Sequence, residues 1–204
     1  MDKKLTCFIV CGRMGQSLIS SKIEPYSVNP IIERIFVFSE KKGDHYPKVE
    51  YITLPDWIKK VRFSVLIKLI RIIYEPVQLI IYAVKYKPFL INGYHIIPKG
   101  LNSLIASRLS NSNCIISLIG GTVEVDTYSR FGWILRRINI MALRKTEIVT
   151  TKGSIVSEYL VQNGIRREKI FVYNGSINFN RFYFNKDQIK DIDCTWKKHH
   201  ETFI

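Results

Sequence analysis

Short, continuous apolar runs recur along the chain, and continuous rather than alternating runs suit strands buried on both faces of a parallel sheet. The first is Leu5 to Val10, followed by "CGRMGQS". Others are Arg34 to Phe38, Val49 to Leu54, Pro88 to Asn92, Cys114 to Ile119, Glu147 to Thr151 and Lys169 to Tyr173. Between them lie segments with helical spacing: Met14 to Lys22, Asp56 to Lys87, Gly100 to Ser110, Tyr128 to Lys145 and Gly153 to Asn163. Strands that alternate with helices predict an α/β fold, a doubly wound, mainly parallel Rossmann-like sheet.

The longest helical segment carries a pattern of its own. Lys60, Ser64, Lys68, Arg71, Glu75 and Gln78 follow one another at steps of three or four, which puts them on one narrow face and leaves the remaining circumference largely apolar. The expectation is a helix that lies with a wide apolar arc on the sheet and a basic stripe in water, kinked or divided at Pro76. A basic amphipathic helix resting on anionic lipid is the alternative. The apolar stretch from Phe63 to Val84 is long enough to span a bilayer, but Lys68, Arg71, Glu75 and Pro76 interrupt it and speak against a span.

A length of 204 residues suits one domain with a substantial core. Thirty-one Lys and Arg against 17 acids give a formal net charge of +14, a field that attracts phosphate on a nucleotide-linked substrate, on lipid or on nucleic acid. The charge is concentrated: Asp56 to Lys99 holds eight basic residues against two acids, and Arg130 to Lys145 holds five against none. No nucleic-acid-binding motif accompanies it, and the aromatic residues fall mostly in core patterns, so nucleic acid is not the expected partner. Cys7, Cys11, Cys114 and Cys194 show neither zinc spacing nor a disulfide framework, which points to a reducing cytoplasm and to no metal site.

In an open α/β sheet, ligands bind beyond the carboxyl ends of the strands. Four segments stand there. Gly12 and Gly15, between the first strand and first helix, permit backbone N–H groups to approach a phosphate, or simply turn the chain. His95, just past the fourth strand in "INGYHIIP", could take a proton from a substrate hydroxyl or orient it. Gly120, Gly121, Thr122 and Glu124 follow the next strand, where paired glycines allow close approach and carboxylates could bind sugar hydroxyls; otherwise Glu124 and Asp126 form a solvated acidic loop. The fourth is Thr150 to Phe182, "TTKGSIVSEYLVQNGIRREKIFVYNGSINFNRF" from Thr150 onward.

That last segment resembles the end of the first domain of retaining glycosyltransferases of family 4, whose GT-B architecture sets two Rossmann-like domains around a cleft. The matching features are Thr151 with Ser154, Gly164-Ile165, Glu168-Lys169-Ile170, Asn174-Gly175 and Arg181-Phe182. The stretch "NGSINFNRF" looks like a contracted form of the family hinge "GNGSxNGVDxxRF"; the usual hinge Asp has no clear counterpart, and Asn178 substitutes for it. The resemblance extends by pattern back to Leu5, with His95 and Pro98 similar to the family's segment near the acceptor, and Gly12 and Gly15 to its glycine loop beside the donor diphosphate.

The resemblance implies an acceptor-side domain over residues 1–182, a hinge at Asn174, Gly175 and Asn178, and a basic C-terminal tail over 183–204. It implies a nucleotide-sugar donor, a saccharide or lipid-linked saccharide acceptor in surface polysaccharide synthesis, and no cofactor or metal. The family's donor-gripping E-x7-E motif belongs to a second domain, which residues 183–204 do not supply, so the chain is expected to be inactive or nearly so by itself. It is expected to be cytoplasmic, peripheral on the inner face of the membrane. A self-standing nucleotide-binding module, or one subunit of a two-component glycosyltransferase with a separate donor-binding partner chain, is the alternative.

Overall fold

The computed structural model describes residues 4–12, 14–55, 58, 64–126 and 132–173, with backbone only at 64–71. The elements run β1 (Leu5–Gly12), α1 (Gln16–Ser27), β2 (Ile32–Ser39), β3 (Val49–Ile52), α2 (Ser64–Tyr86), β4 (Leu90–Tyr94), α3 (Leu101–Ser110), β5 (Asn113–Ser117), α4 (Val123–Asp126), α5 (Gly132–Lys145), β6 (Ile148–Thr151), α6 (Ser154–Gln162) and β7 (Ile170–Val172). All seven strands pair in parallel into one sheet of order β3-β2-β1-β4-β5-β6-β7. The doubly wound expectation holds. Its hinge residues Asn174, Gly175 and Asn178, the domain boundary at Phe182 and the basic tail lie outside the described residues.

The continuity of the apolar runs has the anticipated cause. In β1, Phe8 and Val10 point to one face, where they join Phe36, Phe38 and Ile91 under Leu79 and Ala83 of α2 and Ala106 of α3. Cys7, Ile9 and Cys11 point to the other, onto Ile19 and Ile23 of α1. A third cluster gathers Cys114 and Ile116 of β5, and Leu118 just after it, with Leu143 of α5 and Leu160 of α6. Thus α2, α3, α5 and α6 cover one face, and α1 covers the β3 to β4 part of the other.

α2 is one element through Pro76 rather than two helices divided there. Proline removes one helical hydrogen bond, that of the Ile72 carbonyl, and Ile72 is exposed, so water replaces the lost donor. Over its described side chains, residues 72–86, only part of the apolar circumference rests on the sheet: Leu79 and Ala83 are buried and Ile80, Tyr82 and Tyr86 partly buried against the same cluster, whereas Ile73, Val77, Ile81 and Val84 are exposed. On the covered side Tyr82 and Tyr86 stack edgewise or tilted against Phe36.

Candidate functional site

The sheet order reverses between β1, whose successor β2 lies on one side, and β4, which opens the other side. Crevices form at such a switch point, beyond the carboxyl ends of the two strands. Here Gly12 ends β1, His95 follows β4, and both line a cleft of ≈ 510 Å³ together with Glu40, Pro98, Lys99 and Glu75. The far wall is α2, which contributes Glu75 and Ile72.

His95 is held from two directions. Its backbone has φ 67, and its N–H donates to the Ser117 carbonyl of β5 at 3.0 Å while its own carbonyl accepts from Gly100 at 2.9 Å. The ring Nδ1 lies 2.7 Å from Glu124 Oε1. A carboxylate only accepts, so Nδ1 carries the proton and the other ring nitrogen, Nε2, remains for a ligand. The hydrogen bond to Glu124 raises the His95 pKa above its ordinary value, outweighing the opposing effect of partial burial.

Glu124 is not a solvated loop carboxylate. Its Oε1 also accepts from the backbone N–H of Ile119 at 3.1 Å and from that of Gly120. Asn139 Nδ2 ties down the same turn by donating to the Glu124 carbonyl at 3.0 Å. Its second oxygen, Oε2, is buried and unbonded among the described residues. Asp126 is equally structural, accepting from Arg136 Nε at 3.1 Å and from the Tyr159 hydroxyl. The acidic pattern looked solvated because the sequence does not show that these carboxylates meet backbone N–H groups and helices from later in the chain.

The glycines divide by role. Gly12 has φ +66, and a Cβ there would stand 2.7 Å from Lys99 Cε. Gly15 caps α1 at φ -67 with nothing within 4 Å of a would-be Cβ, so neither conformation nor packing demands glycine. Gly120 and Gly121 form the turn after β5, and Gly120 reaches His95 only through Glu124. Thr122 serves the turn through its carbonyl, which accepts from Val125 and Asp126.

Sequence reasoning missed Lys99 and Glu75, which form an ion pair in the cleft wall. Their separation of 24 residues carries no local signal. It also missed Lys22 of α1, whose Nζ sits 5.7 and 5.6 Å from the ring centres of Tyr94 and Tyr173 at the same end of the sheet. Partial burial, then the nearby charge of Lys152, lower the Lys22 pKa. No cluster of three His, Cys, Asp or Glu side chains suited to a metal occurs among the described residues.

No protein-family model matches the chain, and neither does the sequence of any curated protein. Solved structures do match. Anabaena HepE, crystallised with UDP and glucose, superposes with a TM-score of 0.60 at 14% identity, over 90% of this chain and 47% of that one. The UDP-N-acetylglucosamine 2-epimerase of Rickettsia bellii gives 0.57 at 14% identity over 96% and 51%. MnaA of S. aureus, solved with UDP, gives 0.55 at 11% identity over 82% and 43%. The chain spans about half the length of each of these. Its seven-stranded parallel sheet is the fold of one half of a GT-B architecture.

Proposed function

We propose that the chain is the acceptor-side half of a family 4-like glycosyltransferase, which moves a sugar from a nucleotide-sugar to a saccharide or lipid-linked saccharide in surface polysaccharide synthesis at the cytoplasmic face of the membrane. The observation that carries the reading is the His95 and Glu124 pair at the lip of the cleft between β1 and β4. Solved structures of the same half-fold hold UDP or UDP-glucose, which supports a UDP-sugar as the ligand.

On this reading Nε2 of His95 orients a sugar hydroxyl, and Glu124 acts through His95 as a positioning residue. The open backbone at Gly15 admits the diphosphate, toward which Lys22 and Lys152 add positive charge. The groups that grip the leaving diphosphate come from a second Rossmann-like unit, in the same polypeptide or a partner chain, and cations and helix N-termini do this work without a metal. Residues 1–182 form the acceptor-side domain, with Asn174, Gly175 and Asn178 as the hinge.

Amide NMR of the 204-residue chain titrated with UDP-glucose tests the assignment. Shifts concentrated at Gly12, Gly15, His95 and Gly120, and lost in His95→Ala, are the expected result. Shifts centred on another surface, or no response at millimolar ligand, would refute it.

A further inference from the structure

Three neighbouring helices on one side of the sheet leave an apolar surface uncovered. On α2, Ile73, Val77, Ile81 and Val84 follow at steps of four, four and three, with exposures of 67%, 48%, 58% and 48%. Beside it α3 exposes Ile105 and Leu109, and α5 exposes Trp133 and Met141. A groove of ≈ 560 Å³ lies between α3 and α5, with Arg108 and Lys145 among its lining residues. Exposed aliphatic and aromatic side chains gathered on neighbouring helices mark an interaction face.

The charge on these helices is one-sided. Across Ser64–Tyr86, Leu101–Ser110 and Gly132–Lys145 stand eight basic residues and one acid, Glu75, which is bonded to Lys99. Lys85, Arg137 and Lys145 have no carboxylate partner among the described residues, and Arg137 lies 5.7 Å from the centre of the Trp133 ring. A second copy of the chain would press one basic face against another. Nucleic acid would meet the cations but leave the aliphatic rows in water. An anionic bilayer satisfies both, with aliphatic side chains in the acyl boundary and ammonium and guanidinium groups among the lipid phosphates. No helix among the described residues is long and apolar enough to cross a membrane.

The geometry points to the outer surface of α2, α3 and α5 as the face that docks on an anionic lipid membrane. This deepens the membrane part of the proposed function by naming the surface and its partner. The docked helices lie in the plane of the interface, α2 by Ile73, Val77 and Ile81, α5 by Trp133.

Co-sedimentation of the full chain with phosphatidylglycerol and with phosphatidylcholine vesicles tests the inference. Binding to the first and not the second is expected. Ile73→Gln with Ile81→Gln should abolish it, and Arg137→Gln with Lys145→Gln should weaken it about fivefold per cation removed. All four positions are exposed, so the variants should fold, which circular dichroism checks. Equal sedimentation of the glutamine variants, no binding to phosphatidylglycerol, or a dimer or duplex-DNA complex that the same substitutions break would overturn the inference. UDP-glucose titration of the same variants separates the two readings. Lost vesicle binding with an intact cleft response removes only the docking face. A silent cleft with intact vesicle binding removes only the sugar-nucleotide assignment.

Discussion

His95 Nδ1 and Glu124 Oε1 stand 2.7 Å apart, and that contact joins the segment after β4 to α4, which follows β5. It makes the imidazole a structural tie that also lines the cleft.

The first prediction concerns its titration. Glu124 raises the folded-state pKa of His95 above the ordinary 6.5. A raised folded pKa means that the pair's stabilisation is fully present below the unfolded value and is lost as pH rises through the folded one. Ring NMR should therefore place the His95 midpoint above 6.5 in the wild type, and Glu124→Gln should bring it down. Thermal stability of the wild type relative to His95→Gln should fall over the same interval of rising pH. A midpoint that Glu124→Gln leaves unmoved contradicts the geometry.

Much of this was legible in the sequence, and what was not has a physical reason. All seven strands announced themselves as apolar runs; in β1 the cause is burial on both faces, which requires Phe8, Ile9 and Val10 alike to be apolar, whereas in β7 Phe171 and Val172 are exposed. His95 and the glycines could be placed by the rule that sites lie beyond strand ends. The Glu124 contact could not, since it depends on a turn that folds the carboxylate back onto Ile119 and Gly120. Periodicity likewise showed that α2 is amphipathic, yet not which apolar rows the sheet would cover. The row that packs carries Tyr82 and Tyr86, which meet Phe36 from a distant part of the chain.

Gly12 and Gly15 should behave oppositely. Gly12→Ala puts a side chain at φ +66 and against Lys99, and should cost at least about 1–2 kcal/mol in urea unfolding. Gly15→Ala meets no atom within 4 Å and should cost less, no more than about 1 kcal/mol, from the poorer N-cap of α1. It should nevertheless weaken the response to UDP-glucose. Equal destabilisation by the two would remove the argument for an open approach at Gly15.

A polar chain, buried at Ser117 and Asn92, crosses the sheet from Thr150 to Ser117 (2.8 Å), Ser117 to Asn92 (2.9 Å) and Asn92 to Tyr26 (2.9 Å). Ser117→Ala leaves the Asn92 side-chain oxygen without its donor. A loss of about 1–3 kcal/mol in chemical denaturation is expected, the usual cost of an unsatisfied buried acceptor.

Burial pushes the thiols of Cys7 and Cys114 up to about 11 and that of Cys11 up to about 12. In a Cys194→Ser chain, an aromatic disulfide reagent near neutral pH should react with none of the three until denaturant is added. Fast labelling of the native protein at Cys11, which borders the cleft, would show that the cleft floor is open to solvent.

The most direct test of the half-enzyme account is a crystal structure of the lone chain grown with UDP-glucose. The account predicts the ligand against the wall formed by Gly12, Gly15 and His95, with its remaining side in solvent. A sugar nucleotide fully enclosed by this chain, or bound away from the ends of β1 and β4, would contradict it.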